Sequence, residues 1–335
     1  MTTALDTSMP TIEPDGLDRL RNAETGLVIG YDLARFGMAP DKGAPQTVFD
    51  GWNQYRHVKG SYIERHDWAD RKWVRVRYHA WLRNRLVAET FTPKLLRNLR
   101  MTRCPITREV MTDGTGEGTD ATCERIDNHA GYADGNVIMM SARANKAKGN
   151  LSPLDITSTA HQMLPYKGLE PAEWLRLTVL SHYAWPDAPT HYPHALLPPR
   201  GMIVRNKSAL LGMFINAAAM APAGSLADNA LRQAMPDKKA RKGYEMVIEF
   251  LNAAHAKRFP RLNGRYPSTA ARRYASEDAW LSPGVFTMYR RWASMLDIAT
   301  VVAALTVHAR LDHASADEKA MYFGLDTDGY DPLTV

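Results

Sequence analysis

Seven polar side chains crowd into residues 123–145: Glu124, Asp127, Asn128, His129, Asp134, Asn136 and Asn145, set around the short apolar run Val137–Met140. Carboxylate and amide oxygens are hard donors of the kind that Mg²⁺, Mn²⁺ or Ca²⁺ prefer. An imidazole among them is a candidate proton acceptor near neutral pH. The same residue types also build turns, because Asp and Asn side chains hydrogen-bond nearby backbone. The spacing has to divide these residues between ligands and turn formers.

The elements that must position them are short. Residues 104–122, CPITREVMTDGTGEGTDAT, read as a short strand, a long turn at DGTGEGTD, and the start of a second strand. That strand runs through Cys123–Ile126. NHAGYADGN is a loop, and Val137–Met140 is an apolar strand after it. Ser141 is an N-cap candidate for a helix over Ala142–Lys148 that stops at Gly149. Strand, loop, strand and helix within 50 residues make a compact ββα unit.

These residues carry a family resemblance. Glu124-Arg125-Ile126-Asp127, then Gly131-Tyr132, then Gly135-Asn136-Val137, then Asn145 with Lys146 and Lys148, resemble the HNH-type (ββα-metal) endonucleases, especially a group common in phages and mobile elements. CPIT at 104–107 resembles that pattern's first strand. The resemblance covers about 47 of 335 residues, 104–150. It implies a DNA phosphodiester hydrolase with one Mg²⁺ or Mn²⁺. With the helical patterns along the rest of the chain, the expected fold is mainly α with a small embedded ββα-metal unit, α+β overall.

Within that frame the chemistry assigns roles. A carboxylate at a strand end and an amide on the following helix can converge, which points to Glu124 and Asn145 as metal ligands. Lys146 and Lys148 then meet phosphates near the helix end. Asn136 braces the loop through side-chain to backbone hydrogen bonds. Asp127, Tyr132 and Gly135 are structural, and Asn128 bonds its own backbone. Better-studied members place a water-activating histidine after the acidic residue, where this chain has Arg125. Arginine stays protonated and is a poor base. Arg125 therefore counts as a charge at the site, and His129 is the candidate base. Glu124 also stands where Asp is commoner, one methylene longer.

The arginine-rich stretch upstream suggests how a duplex would be held. Between Trp52 and Arg103 there are thirteen Lys/Arg and four Asp/Glu, a local excess of 13 − 4 = +9 in a chain whose net charge is +6. Trp73, Ala80, Trp81 and Ala88 recur at helical spacing, so a helix is expected over Asp70–Thr90. Arg75, Arg77, Arg83 and Arg85 are candidates for DNA-backbone contacts. The competing reading is an amphipathic helix with core tryptophans and solvated arginines. A short helix follows at Pro93–Leu99, with Thr92 as its cap.

Composition bounds the rest. With 45% hydrophobic and 23% charged residues, the chain is ordinary globular protein, long enough for two or three units. No apolar run approaches the roughly 18 residues of a membrane span. MTTALDTSMPTIEPDG lacks a secretory pattern, so a cytoplasmic location is expected. Cys104 and Cys123 are not in a CxxC pair, which excludes a four-cysteine zinc site. Both are expected to be reduced packing residues.

The expected organisation is an arm over 1–50, partly ordered, with short helices near Gly16–Asn22 and Gly30–Phe36. A basic aromatic segment follows over 51–103, then the HNH-like unit over 104–152. A helix at Ala172–Ser181 and a Pro-rich connector fill 153–200, and a helical domain takes 201–335. Its helices are expected at Lys207–Met220, Leu226–Met235, Lys239–Arg258, Pro283–Met295 and Ile298–Leu311. The alternative to an active nuclease is a catalytically degenerate HNH fold that binds DNA or scaffolds a phage or mobile-element assembly.

Overall fold

A computed structural model describes residues 23–183, 185, 204, 206–221, 223–258 and 269–308. The expected helix at Gly16–Asn22, and the connector at 185–201 apart from Trp185, lie outside the described residues. Thirteen helices and one two-stranded antiparallel sheet make up the described chain, which is mainly helical. No helix among the described residues is long and apolar enough to cross a membrane. The residues divide into two compact units. One contains the described residues 23–98 with 129–134, and the other contains 99–128 and the described residues from 135 to 308.

The first unit is built on α1 (Ala23–Arg35), α2 (Gln46–Lys59) and α3 (Trp68–Leu82). Two glycines explain why α1 and α2 pack so closely. A Cβ at Gly30 would sit 1.9 Å from the Val48 carbonyl oxygen, and one at Gly51 would sit 1.8 Å from that of Leu27. The arm was expected to be only partly ordered because residues 1–50 are rich in Pro, Gly, Asp and Thr. Here the glycines are what let two backbones touch.

The core joins Ile29, Leu33, Phe36 and Val48 to Val74, Tyr78 and Trp81 of α3. A capping box starts α3: Asp67 accepts from the N–H groups of Ala69 and Asp70, and Asp70 accepts from that of Asp67. The helix stops at Leu82, not near Thr90, because Asn84 turns left-handed at φ 52°. Asparagine tolerates that conformation. Beyond it the chain is extended, and Val87 bridges to Tyr132. Helix α4 (Pro93–Leu99) has the expected bounds, and Thr92 accepts from the Leu95 N–H at 3.2 Å.

In the second unit β1 (Ala121–Arg125) pairs with β2 (Val137–Ser141), with Thr122 opposite Met140 and Glu124 opposite Ile138. Residues 104–120 form no regular strand. They make isolated bridges, Arg103 to Val110 and Thr112 to Asp120. The intervening turn is organised by Asp120, whose carboxylate accepts from the N–H groups of Thr115 and Gly116 and from the hydroxyls of Thr112 and Thr115. Those bonds, led by the Thr115 N–H, hold its carboxyl well below the usual range. Strand β2 is buried along its length and runs into Ser141, which accepts from the Ala144 N–H and caps α5 (Ala142–Lys148).

The strand–strand–helix segment has no core of its own. Ile106, Ile126, Ile138, Met140, Ala144 and Ala147 share one apolar cluster with the helices that follow. These are α6 (Pro153–His161), α7 (Pro171–Tyr183), α8 (Lys207–Met220), α9 (Leu226–Ala234), α10 (Lys238–Arg258), α11 (Thr269–Trp280), α12 (Pro283–Ala293) and α13 (Ile298–His308). Ionic contacts fix the join. Arg108, left-handed at φ 61°, donates through both terminal nitrogens to the Asp278 carboxylate of α11 at 2.7 Å each. Arg143 forks onto Glu173 of α7 at 3.0 and 2.8 Å. Helices α2, α6 and α11 were not expected from the sequence pattern.

Candidate functional site

Strand and helix periodicities meet at the β1–α5 junction. Thr122 and Glu124 are two apart on β1 and share its half-buried face, while Cys123 and Arg125 turn the other way and are buried. Asn145 and Lys148 are three apart on α5 and share one helix face. The pairs match. Asn145 Nδ2 donates to Thr122 Oγ1 at 3.1 Å, and Lys148 Nζ donates to Glu124 Oε1 at 2.8 Å. Thr122 Oγ1 in turn donates to the Met140 carbonyl at 3.0 Å, which fixes the direction from which it accepts.

This geometry sorts the oxygen donors. With its Nδ2 on Thr122, Asn145 has its carbonyl Oδ1 left as a donor to a cation. Glu124 has one oxygen on Lys148, and Oε2 has no partner among the described residues. Carboxylate and amide oxygens are the hard donors that Mg²⁺ or Mn²⁺ takes alongside water. Among the described residues no group of three or more His, Cys, Asp or Glu comes together, so an all-protein cage is not built here.

Several sequence expectations are corrected. Lys148 is not a phosphate contact: it is 1% exposed and bound to Glu124 and, at 3.0 Å, to Asn128 Oδ1. Asn128 is more than a local turn former, because its Nδ2 also donates to the Gly149 carbonyl at 3.3 Å. Arg125 is buried, and its guanidinium donates to the Asn128 carbonyl at 2.9 Å, tying down the turn after β1. His129 is exposed and lies on the loop 129–134 of the first unit, whereas Glu124 lies in the second.

The remaining residues of the segment have these surroundings. Asn136 is 1% exposed and reads the Asp127 peptide from both sides: Oδ1 accepts from its N–H at 2.9 Å, and Nδ2 donates to its carbonyl at 3.1 Å. Gly135 supplies the left-handed turn before it, at φ 84°. Tyr132 anchors its loop by exchanging backbone bonds with Leu86 and Ala88 and by packing on Phe91. Lys146 is exposed beside a cleft of about 720 Å³ between α5 and the Gly116–Gly118 turn, with Lys167 on the same wall.

The basic segment also separates. Arg75, Arg83 and Arg85 are exposed and carry no side-chain partner among the described residues. Arg77 does not belong with them. It donates to Asp32 at 2.7 Å and lies over the Trp73 ring at 4.2 Å, so it serves the core of its own unit. Thr122 and Asn128 are the site residues that sequence reasoning missed. The two-apart and three-apart register of 122/124 against 145/148 was the available signal. Comparison with protein families, curated proteins and solved structures finds no match for this chain.

Proposed function

We propose that this protein is a metal-dependent endonuclease of the HNH (ββα-metal) type that hydrolyses phosphodiester bonds in DNA. One observation supports the reading above the others: the paired contacts Thr122–Asn145 and Glu124–Lys148 set an amide and a carboxylate on the same β1–α5 junction. A Mg²⁺ or Mn²⁺ ion on Glu124 and Asn145 would stabilise charge on the phosphorane and the leaving oxygen. Thr122 orients the Asn145 amide. Lys148 and Asn128 fix the Glu124 carboxylate. Lys146 and the exposed arginines meet the phosphate backbone. The proposed setting is the cytoplasm, with DNA and a protein of a phage or mobile-element assembly as partners.

A second reading has its own observation. A buried lysine 2.8 Å from Glu124 already neutralises the carboxylate that a metal would need, and Arg125 takes the place of a base. These favour a catalytically silent HNH fold that binds DNA or scaffolds an assembly. Calorimetric titration with Mn²⁺ separates the two. The nuclease reading expects one saturable site, lost in both Glu124→Gln and Asn145→Ala. Absence of saturable heat from the unmodified chain overturns it in favour of the scaffold. Gln is chosen at 124 because its amide oxygen still accepts a hydrogen bond from Lys148, which removes the charge of the ligand while keeping an acceptor for the buried lysine.

A further inference from the structure

The exposed face of α3 carries a pattern that α3 does not need for its own stability. Arg71, Arg75 and His79, with Arg83 at the C-cap, follow one another at intervals of four; the three arginines are exposed, and the His79 ring is partly shielded from water. Each therefore has a basic residue as its i+4 or i−4 neighbour on the helix surface, where like charges are destabilising. A merely solvated helix face interleaves acids at that spacing. Here the acid four residues before Arg71 is Asp67, and it is occupied by Arg97 at 2.8 Å. Arg71, Arg75 and Arg83 have no side-chain partner among the described residues.

We propose that this stripe is a track for the phosphate backbone of a DNA duplex, with His79 as its proton-dependent contact. The proposal deepens the nuclease reading by naming how the substrate is held and what regulates the hold. Members four residues apart rise about 6 Å, so the stripe spans about 18 Å. A duplex offers about ten phosphates over that length. The opposite side of α3, with Trp73, Arg77 and Trp81, is engaged within its own unit. That leaves the stripe as the helix's outward cationic face.

His79 is flanked by Arg75 and Arg83 on its own helix, faces Asp41 from the loop between α1 and α2, and packs against the Tyr78 ring at 5.3 Å. Burial lowers its pKa, the Arg83 and Arg75 charges lower it further, and Asp41 opposes them. In the free protein the imidazole therefore takes up its proton less readily than an ordinary histidine. A phosphate beside it reverses the balance, so binding takes up a proton and tightens as pH falls.

The test is fluorescence anisotropy of an about 20-base-pair duplex with the full chain carrying Glu124→Gln, in EDTA, across about 0.05–0.3 M KCl. Each of Arg71→Gln, Arg75→Gln and Arg83→Gln is expected to lower the salt slope by about 0.9 and weaken binding roughly five- to tenfold at about 0.1 M salt. His79→Gln removes the tightening at acid pH and leaves alkaline affinity in place. Arg77→Gln serves as the comparison: it lowers the melting temperature without changing the slope. An unchanged slope in the triple Arg71/Arg75/Arg83→Gln variant overturns the proposal. So does polyglutamate competing charge for charge as well as DNA, which would make the stripe a surface for acidic proteins. Cleavage is disabled throughout, so the result stands apart from whether the nuclease reading survives.

Discussion

Lys148 reaches Glu124 across the strand–helix junction, with Nζ 2.8 Å from Oε1 while the lysine is 1% exposed. Its effects on the two partners are unequal. Among the described residues Glu124 retains an oxygen without a partner, whereas Lys148 has Glu124 and Asn128 for its three donors. Removing the carboxylate strands a buried ammonium. Glu124→Ala is expected to cost about 3–5 kcal/mol, as other broken buried pairs do. Glu124→Gln keeps an acceptor for the ammonium and is expected to recover part of it, and the double change Glu124→Gln with Lys148→Met, which removes both charges, most of it. Urea denaturation of the three variants checks this, and equal stabilities would contradict the pairing.

Asn136 holds the turn between β1 and β2 with two hydrogen bonds to one peptide, fully buried. Asn136→Ala removes both and is expected to cost about 2–3 kcal/mol. Asn136→Asp keeps an acceptor for the Asp127 N–H but cannot donate to its carbonyl, so it should fall between. Ranking the three melting curves tests the order.

Gly30 and Gly51 make a sharper prediction for the first unit. A methyl group at either meets a backbone oxygen of the neighbouring helix at under 2 Å, and backbone cannot swing aside as a side-chain tip would. Gly30→Ala is expected to destabilise by about 3 kcal/mol or more, although Ala is intrinsically the better helix former. Circular dichroism should show loss of a helical transition. A stabilised variant would mean that α1 and α2 do not pack as described.

His182 provides a pH marker within the core of the second unit. It is 1% exposed, pairs with Thr157 at 2.9 Å, and burial pushes its pKa down to about 4. The folded state thus binds its proton less readily than the unfolded state, whose histidine titrates near 6.5. Its contribution to stability is full above about 6.5 and falls away as pH drops towards 4. In His182→Gln that share of the acid sensitivity should disappear. Denaturation midpoints measured across that range check the sign.

The α5 boundaries, its Ser141 cap and the Asn136 brace were legible in the sequence because each depends on residues within about ten positions. What was not legible depended on distant partners. Glycine at 30 and 51 shows no local sign of its role, and only the opposing backbone shows why it is there. Lys148 reads as a surface charge at a helix end until β1 supplies Glu124. Arg77 reads like Arg75, yet Asp32, 45 residues earlier, draws it inward. Residues 104–120 have strand-like composition, but their polar groups are satisfied by the Asp120-centred turn and leave no ladder to extend.

The central claim is that Glu124 and Asn145 act together on a phosphodiester bond. Its most direct test is conversion of supercoiled plasmid to nicked or linear form by the purified chain with Mg²⁺ or Mn²⁺. The expected result is metal-dependent conversion that is abolished by EDTA and reduced at least about 100-fold in both Glu124→Gln and Asn145→Ala, each still folded and binding duplex. No conversion by the unmodified chain with any divalent ion, or conversion that both variants retain, would contradict it.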